Sequence, residues 1–196
     1  MKKIALTTLF LLLALTACRK SDDSSENGLN LFGTDDMKEV IELIESANAD
    51  LKSVKAIYKA NQKRVGELKE AINAKDVEKV RAIADDLVLQ INEGLVLGQT
   101  AVEKIEKAED LNINATYKDY LRLKRESLGK QLEAFELRRQ VAKQLSEIFG
   151  RKDPKEIDAV QAVFRDKEEN FQKLMDEGKA LSQEANQVAK DAARRQ

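Results

Sequence analysis

The chain has 196 residues, of which 35% are charged, 42% hydrophobic and 5% aromatic, with one proline, no tryptophan and a formal net charge of −1. That length suits one ordinary domain, and an abundance of Ala, Glu, Lys, Leu and Gln with so little proline favours long helices over strands. The near-zero charge gives no reason to expect nucleic acid as a partner. The absence of histidine removes the usual proton shuttle and the commonest metal ligand, and a single cysteine permits no internal disulfide.

Lys2 and Lys3 precede an apolar run from Ile4 to Leu15 that is broken only by Thr7 and Thr8, and small residues follow it. A helix needs about 20 apolar residues to span a bilayer, so the run is too short for that and is expected to be a secretory signal over residues 1–17. Its loss takes two lysines and leaves 32 basic against 35 acidic residues.

Leu15, Thr16, Ala17 and Cys18 form an aliphatic residue, two small ones and a cysteine, a motif that resembles the lipobox of bacterial lipoprotein precursors. The resemblance covers residues 1–18. It implies that the Cys18 thiol receives a diacylglyceryl group, that a peptidase cuts just before it, and that the new amine is acylated as well. One acyl chain holds a protein only marginally, whereas two or three make a stable attachment. Cys18 is therefore the expected membrane anchor. The residue after it is Arg19 rather than the Asp that retains Gram-negative lipoproteins at the inner membrane, so in a Gram-negative source the resemblance implies the outer membrane, facing the periplasm. The alternative is an ordinary leader with a chance cysteine; an unpaired cysteine is otherwise disfavoured in a secreted chain.

Residues 18–35 are mostly small and polar, lack periodicity and read as a lipidated flexible tether. Leu29, Leu31 and Phe32 are its exception, either docking on the body or a partner, or simply marking the edge of the domain.

From Asp36 onward apolar residues recur at alternating steps of three and four, which keeps one helix face toward a partner. The first series runs from Met37 and Val40 to Ile72, with Asn61 as its one polar member. Asn73 to Asp76 form a break, with Asp76 placed to cap a second helix whose seam runs from Val77 to Ala108. A break at Asp110 to Asn114 follows, and Asn114 can cap a third, less regular helix carrying Tyr117, Leu121, Leu128, Phe135, Ala142 and Phe149 in one row. Gly150 suits a helix stop, Asp153 an N-cap and Pro154 a first helical position, so a fourth helix begins there and carries its seam from Ile157 to Ala192.

Helices are thus expected over about 36–73, 76–110, 115–149 and 154–193. Short connections force neighbours to run antiparallel, which predicts an all-α, up-down-up-down four-helix bundle with long coiled-coil-like helices over residues 36–196. Its third, net-basic helix would lie between two net-acidic ones. The competing architecture is an extended hairpin pair that completes its core by dimerising.

Three constellations follow from matching residues by height. Asn61, Arg138 and Lys167 share a level, with Asp85 and Asp86 near it; this polar layer either binds an anion or fixes helix register while the long cations reach out to water. Ala47, Gly98, Ala101 and Gly178 form a small-residue level, where backbones approach closely or a small apolar cavity opens. Leu89 and Val96 lie opposite the seam of the second helix and form either a partner or homodimer patch or ordinary scattered surface apolar residues. The sequence offers no phosphate loop, nucleophile-base set, haem motif or metal-ligand cluster, so no catalytic residue, metal or other cofactor is assigned. The expectation is a non-enzymatic, lipid-anchored envelope protein that acts through protein contacts, with an internal small-molecule or anion site as the alternative.

Overall fold

The computed structural model describes residues 36–151 and 154–194, with side chains described over 36–149 and 163–194. The leader, the Leu15 to Cys18 motif, the tether and the cap position Asp153 lie outside the described residues. Four helices account for the fold: α1 (Met37–Asn73), α2 (Val77–Asp110), α3 (Ala115–Arg151) and α4 (Pro154–Arg194). Cross-helix pairs fix their directions. Asp50 meets Lys104 and Arg64 meets Asp86, so numbers rise along α1 as they fall along α2. Glu109–Arg125 and Asp85–Ser146 do the same for α2 and α3, and Ser127–Gly178 and Arg138–Glu168 for α3 and α4. The architecture is an all-α, up-down-up-down four-helix bundle.

The α1–α2 and α2–α3 connections satisfy several of the backbone groups that helix ends leave over. At the end of α1 the Lys75 amide donates to the Ile72 carbonyl (3.1 Å) and the Asp76 amide to that of Ala71 (3.0 Å), the paired closure that needs a left-handed residue between them. Lys75 takes that conformation with φ 54°, at a position where glycine is the usual choice. Asp76 then caps α2 by accepting from the Lys79 amide, and Asn114 caps α3 by accepting from the Tyr117 amide at 2.8 Å. Asp36 makes no cap of its own helix. Its carboxylate accepts instead from the Asn112 amide (3.0 Å), tying the start of α1 to the α2–α3 turn, where Ile113 plugs the end of the core. Gly150 does not stop the third helix as its residue type suggested: α3 runs on to Arg151, since a glycine inside a helix costs only about 1 kcal/mol and nothing at the position forces a left-handed turn.

The core is continuous along the bundle, in two clusters: one around Tyr58, Leu68, Leu87, Phe135 and Phe149, the other around Ile44, Leu51, Ile105 and Leu121. The α1 seam is buried from Val40 to Ile72, including Asn61, and the α2 seam from Val80 to Ala108, with Met37 and Val77 half-buried at their starts. The α4 seam is not. Phe164, Phe171, Gly178 and Ala185 are buried, while Lys167, Leu174, Leu181 and Val188 are half-buried. The cause lies in the packing order: α1 packs on α2, α2 on α3 and α3 on α4, whereas the backbones of α1 and α4 stay further apart. α1 and α4 meet through side chains, as where the Lys69 ammonium lies 5.8 Å from the centre of the Phe164 ring. The bundle therefore has one wide edge.

Candidate functional site

α3 carries two inward faces. One is the expected apolar row; the other is a polar row, Lys124, Ser127, Gln131 and Arg138, buried against α4. Ser127 Oγ donates to the carbonyl of Gly178 at 2.6 Å, and Gln131 Nε2 in turn donates to Ser127 Oγ. These bonds need α3 and α4 in close approach. A Cβ on Gly178 would stand 2.9 Å from the Ser127 carbonyl oxygen, so glycine is required for the helices to meet at this distance. Gly98 is similarly filled over by the Leu132 side chain, and Ala47 and Ala101 are fully buried. Close approach, not a cavity, is what the small residues provide.

Lys124 is 2% exposed and has no carboxylate partner among the described residues. Its ammonium donates to Ser182 Oγ (3.1 Å) and Asn186 Oδ1 (2.8 Å) and lies 5.3 Å from the centre of the Tyr120 ring. Neutral acceptors and a ring face compensate a buried charge only in part. Burial accordingly pushes the ammonium down to about 8, and pushes the Tyr120 hydroxyl well above its ordinary range. Sequence reasoning missed this row because Lys, Ser and Gln in a helix read as surface. The available signal was spacing, since Lys124, Gln131 and Arg138 recur every seven residues.

Of the expected polar layer, the structure brings Arg138 and Lys167 to one small cavity lined by all four helices. Arg138 is 8% exposed; its Nη2 donates to Glu168 Oε1 at 2.6 Å, and its guanidinium carbon sits 3.4 Å from the centre of the Phe171 ring. Burial lowers the affinity of the guanidinium for its proton, and Glu168 and Tyr58 oppose that effect. Asn61 is 0% exposed, and neither atom of its amide has a hydrogen-bond partner among the described residues. Asp85 and Asp86 do not join the layer, contrary to the expectation from height alone: the α2 register turns Asp86 to Arg64 at 2.9 Å and Asp85 to the Ser146 hydroxyl at 2.6 Å.

On the outer face of α2, Leu89 and Val96 are 71% and 68% exposed, one heptad apart. Residues 82–103 contain four acids and no base. Asp85 and Asp86 are engaged by neighbouring helices, while Glu93 and Glu103 are exposed and make no ion pair among the described residues. The face is apolar at its centre and negative at its flank. Among the described residues no group of Cys, Asp and Glu is arranged to hold a metal ion, and no helix is long and apolar enough to cross a membrane.

Comparison of the chain with known protein families, with curated proteins and with solved structures finds no match in any of the three.

Proposed function

We propose that this is a lipid-anchored, non-enzymatic helical module of the bacterial cell envelope, tethered through Cys18 and acting through a protein partner that docks on the outer face of α2. The observation that carries the docking half is the exposure of Leu89 and Val96 on a helix whose other large apolar side chains are turned inward or half-covered. Burying both would contribute roughly 3–5 kcal/mol to association, at about 25 cal/mol per Å² of apolar area. The flanking acids define the partner's chemistry: an apolar surface with a basic rim. A second copy of the same face would set Glu93 and Glu103 against like charges, which disfavours a homodimer there. The anchoring half rests on the resemblance of Leu15 to Cys18 to a lipobox.

A photo-crosslinking residue in place of Val96, in acylated protein within envelope membranes, tests the docking face against the same residue placed at exposed Lys52 of α1. The reading expects one discrete adduct from position 96 that disappears when Leu89→Lys is added. Identical adduct patterns from positions 96 and 52, or an adduct indifferent to Leu89→Lys, would sink it.

A further inference from the structure

The Arg138 cavity is a different place in the fold from the α2 face, and it is electrostatically unfinished. Among the described residues its charged lining is Arg138, Lys167 and Glu168; its apolar walls include Leu68, Leu87, Phe164 and Phe171. Two cations therefore face one carboxylate. Glu168 occupies only Nη2 of the guanidinium, and both Nε and Nη1 are buried without an acceptor among the described residues. A buried N–H left unpaired costs roughly 1–3 kcal/mol, more when the group is charged, so two on one guanidinium call for an acceptor beside them. Ring stacking on Phe171 compensates the face of the guanidinium and leaves its edge unserved.

Size and charge narrow what can sit there. The cavity, about 10 Å³, holds one water or one monatomic ion and is too small for a carboxylate-bearing metabolite. A water can accept from the guanidinium but does not balance the excess positive charge; a monovalent anion does both. The cavity is lined from both α1 and α4, with half-buried Lys167 in its lining and the Lys69 ammonium 5.8 Å from the centre of the Phe164 ring that forms one of its walls. Asn61, one turn before Val65 of the cavity wall, has an amide N–H without an acceptor.

The geometry points to a halide-binding site in the bundle, with Arg138 Nε and Nη1 as donors and Lys167 completing the charge. The bound anion finishes the polar layer and braces the wide α1–α4 edge.

The probe is bromide, used with the full chain in detergent. Crystals grown in sodium bromide should show an anomalous peak within hydrogen-bonding distance of the Arg138 guanidinium. In solution, bromide should raise the unfolding midpoint above that in sodium gluconate of equal ionic strength. Lys167→Met keeps a half-exposed position filled and leaves the fold intact; it should weaken the apparent bromide affinity at least ten-fold, and Arg138→Met should abolish the effect. Water alone at the guanidinium, or a bromide response unchanged in Lys167→Met, overturns the assignment. Because Lys167→Met carries the decision, failure of Arg138→Met to fold does not blunt the test.

Discussion

Replacing Lys124 by methionine probes the cost of sealing an ammonium between α3 and α4 with no carboxylate to meet it. In the folded chain burial moves this group from its ordinary 10.5 to about 8. The folded state thus holds the proton less tightly than the unfolded one, and between those two values the unfolded chain binds more protons. Stability must therefore rise with pH across that window, and the penalty is fully present below about pH 8. At 1.36 kcal/mol per pH unit the whole interval is worth about 3 kcal/mol, and about 2 kcal/mol of it is recovered between about pH 7 and pH 9.5. Working below pH 10 also keeps clear of Tyr117 and Tyr120. Burial raises both hydroxyls, so they would act with the opposite sign, lowering stability as the unfolded chain ionises first. Lys124→Met preserves the bulk of the side chain and removes the titration, at the cost of leaving the buried Ser182 hydroxyl without its donor. Urea unfolding of both proteins, followed by circular dichroism at the two pH values, gives the difference directly. Wild type should gain about 2 kcal/mol relative to the variant as pH rises; parallel slopes, or a wild type that weakens relative to the variant, would refute the reasoning.

The two packed glycines should respond differently to alanine. Gly178→Ala drives a Cβ into the Ser127 carbonyl and should cost about 1–3 kcal/mol in urea unfolding, whereas Gly98→Ala meets only the tip of a movable Leu132 side chain and should stay within about 1 kcal/mol of wild type. Equal effects would contradict the backbone contact. Lys75→Gly should stabilise the chain by about 0.5–1 kcal/mol, since the left-handed turn after α1 strains a residue bearing a Cβ; a lower urea midpoint would argue against that turn. Cys18→Ser should accumulate as uncleaved precursor by mass spectrometry, and normal processing with membrane attachment would contradict the anchor.

The backbone architecture was legible because the signals for it are local. The three-four spacing marked the α1 and α2 seams, and short polar side chains at Asp76 and Asn114 marked where new helices begin. Asp36 departs from that logic because a tertiary acceptor role, to Asn112, competes with capping, and no local pattern reveals which wins. The candidate sites were half legible for a similar reason. Helical rise alone brought Arg138 and Lys167 to one level, but rise does not give rotation about the axis, which sends Asp86 to Arg64 and leaves Glu168 to meet Arg138. The buried polar row of α3 was hidden by residue type, since lysine, serine and glutamine sit inside only when a specific neighbour meets each of them. The exposure of Leu89 and Val96 followed directly from their place opposite the seam.

A wall in which each helix leans mainly on the next one along the chain asks little of the polypeptide as it forms. Adjacent hairpins supply most of the contacts, and sequence-distant closure of α1 onto α4 contributes only at the side-chain level. Topologies of that kind assemble quickly, because few long loops must be ordered before contacts begin to reward them. A polypeptide that becomes available from its amino end can lay down α1, add α2, then α3, and finish with α4, each helix packing on the one before it.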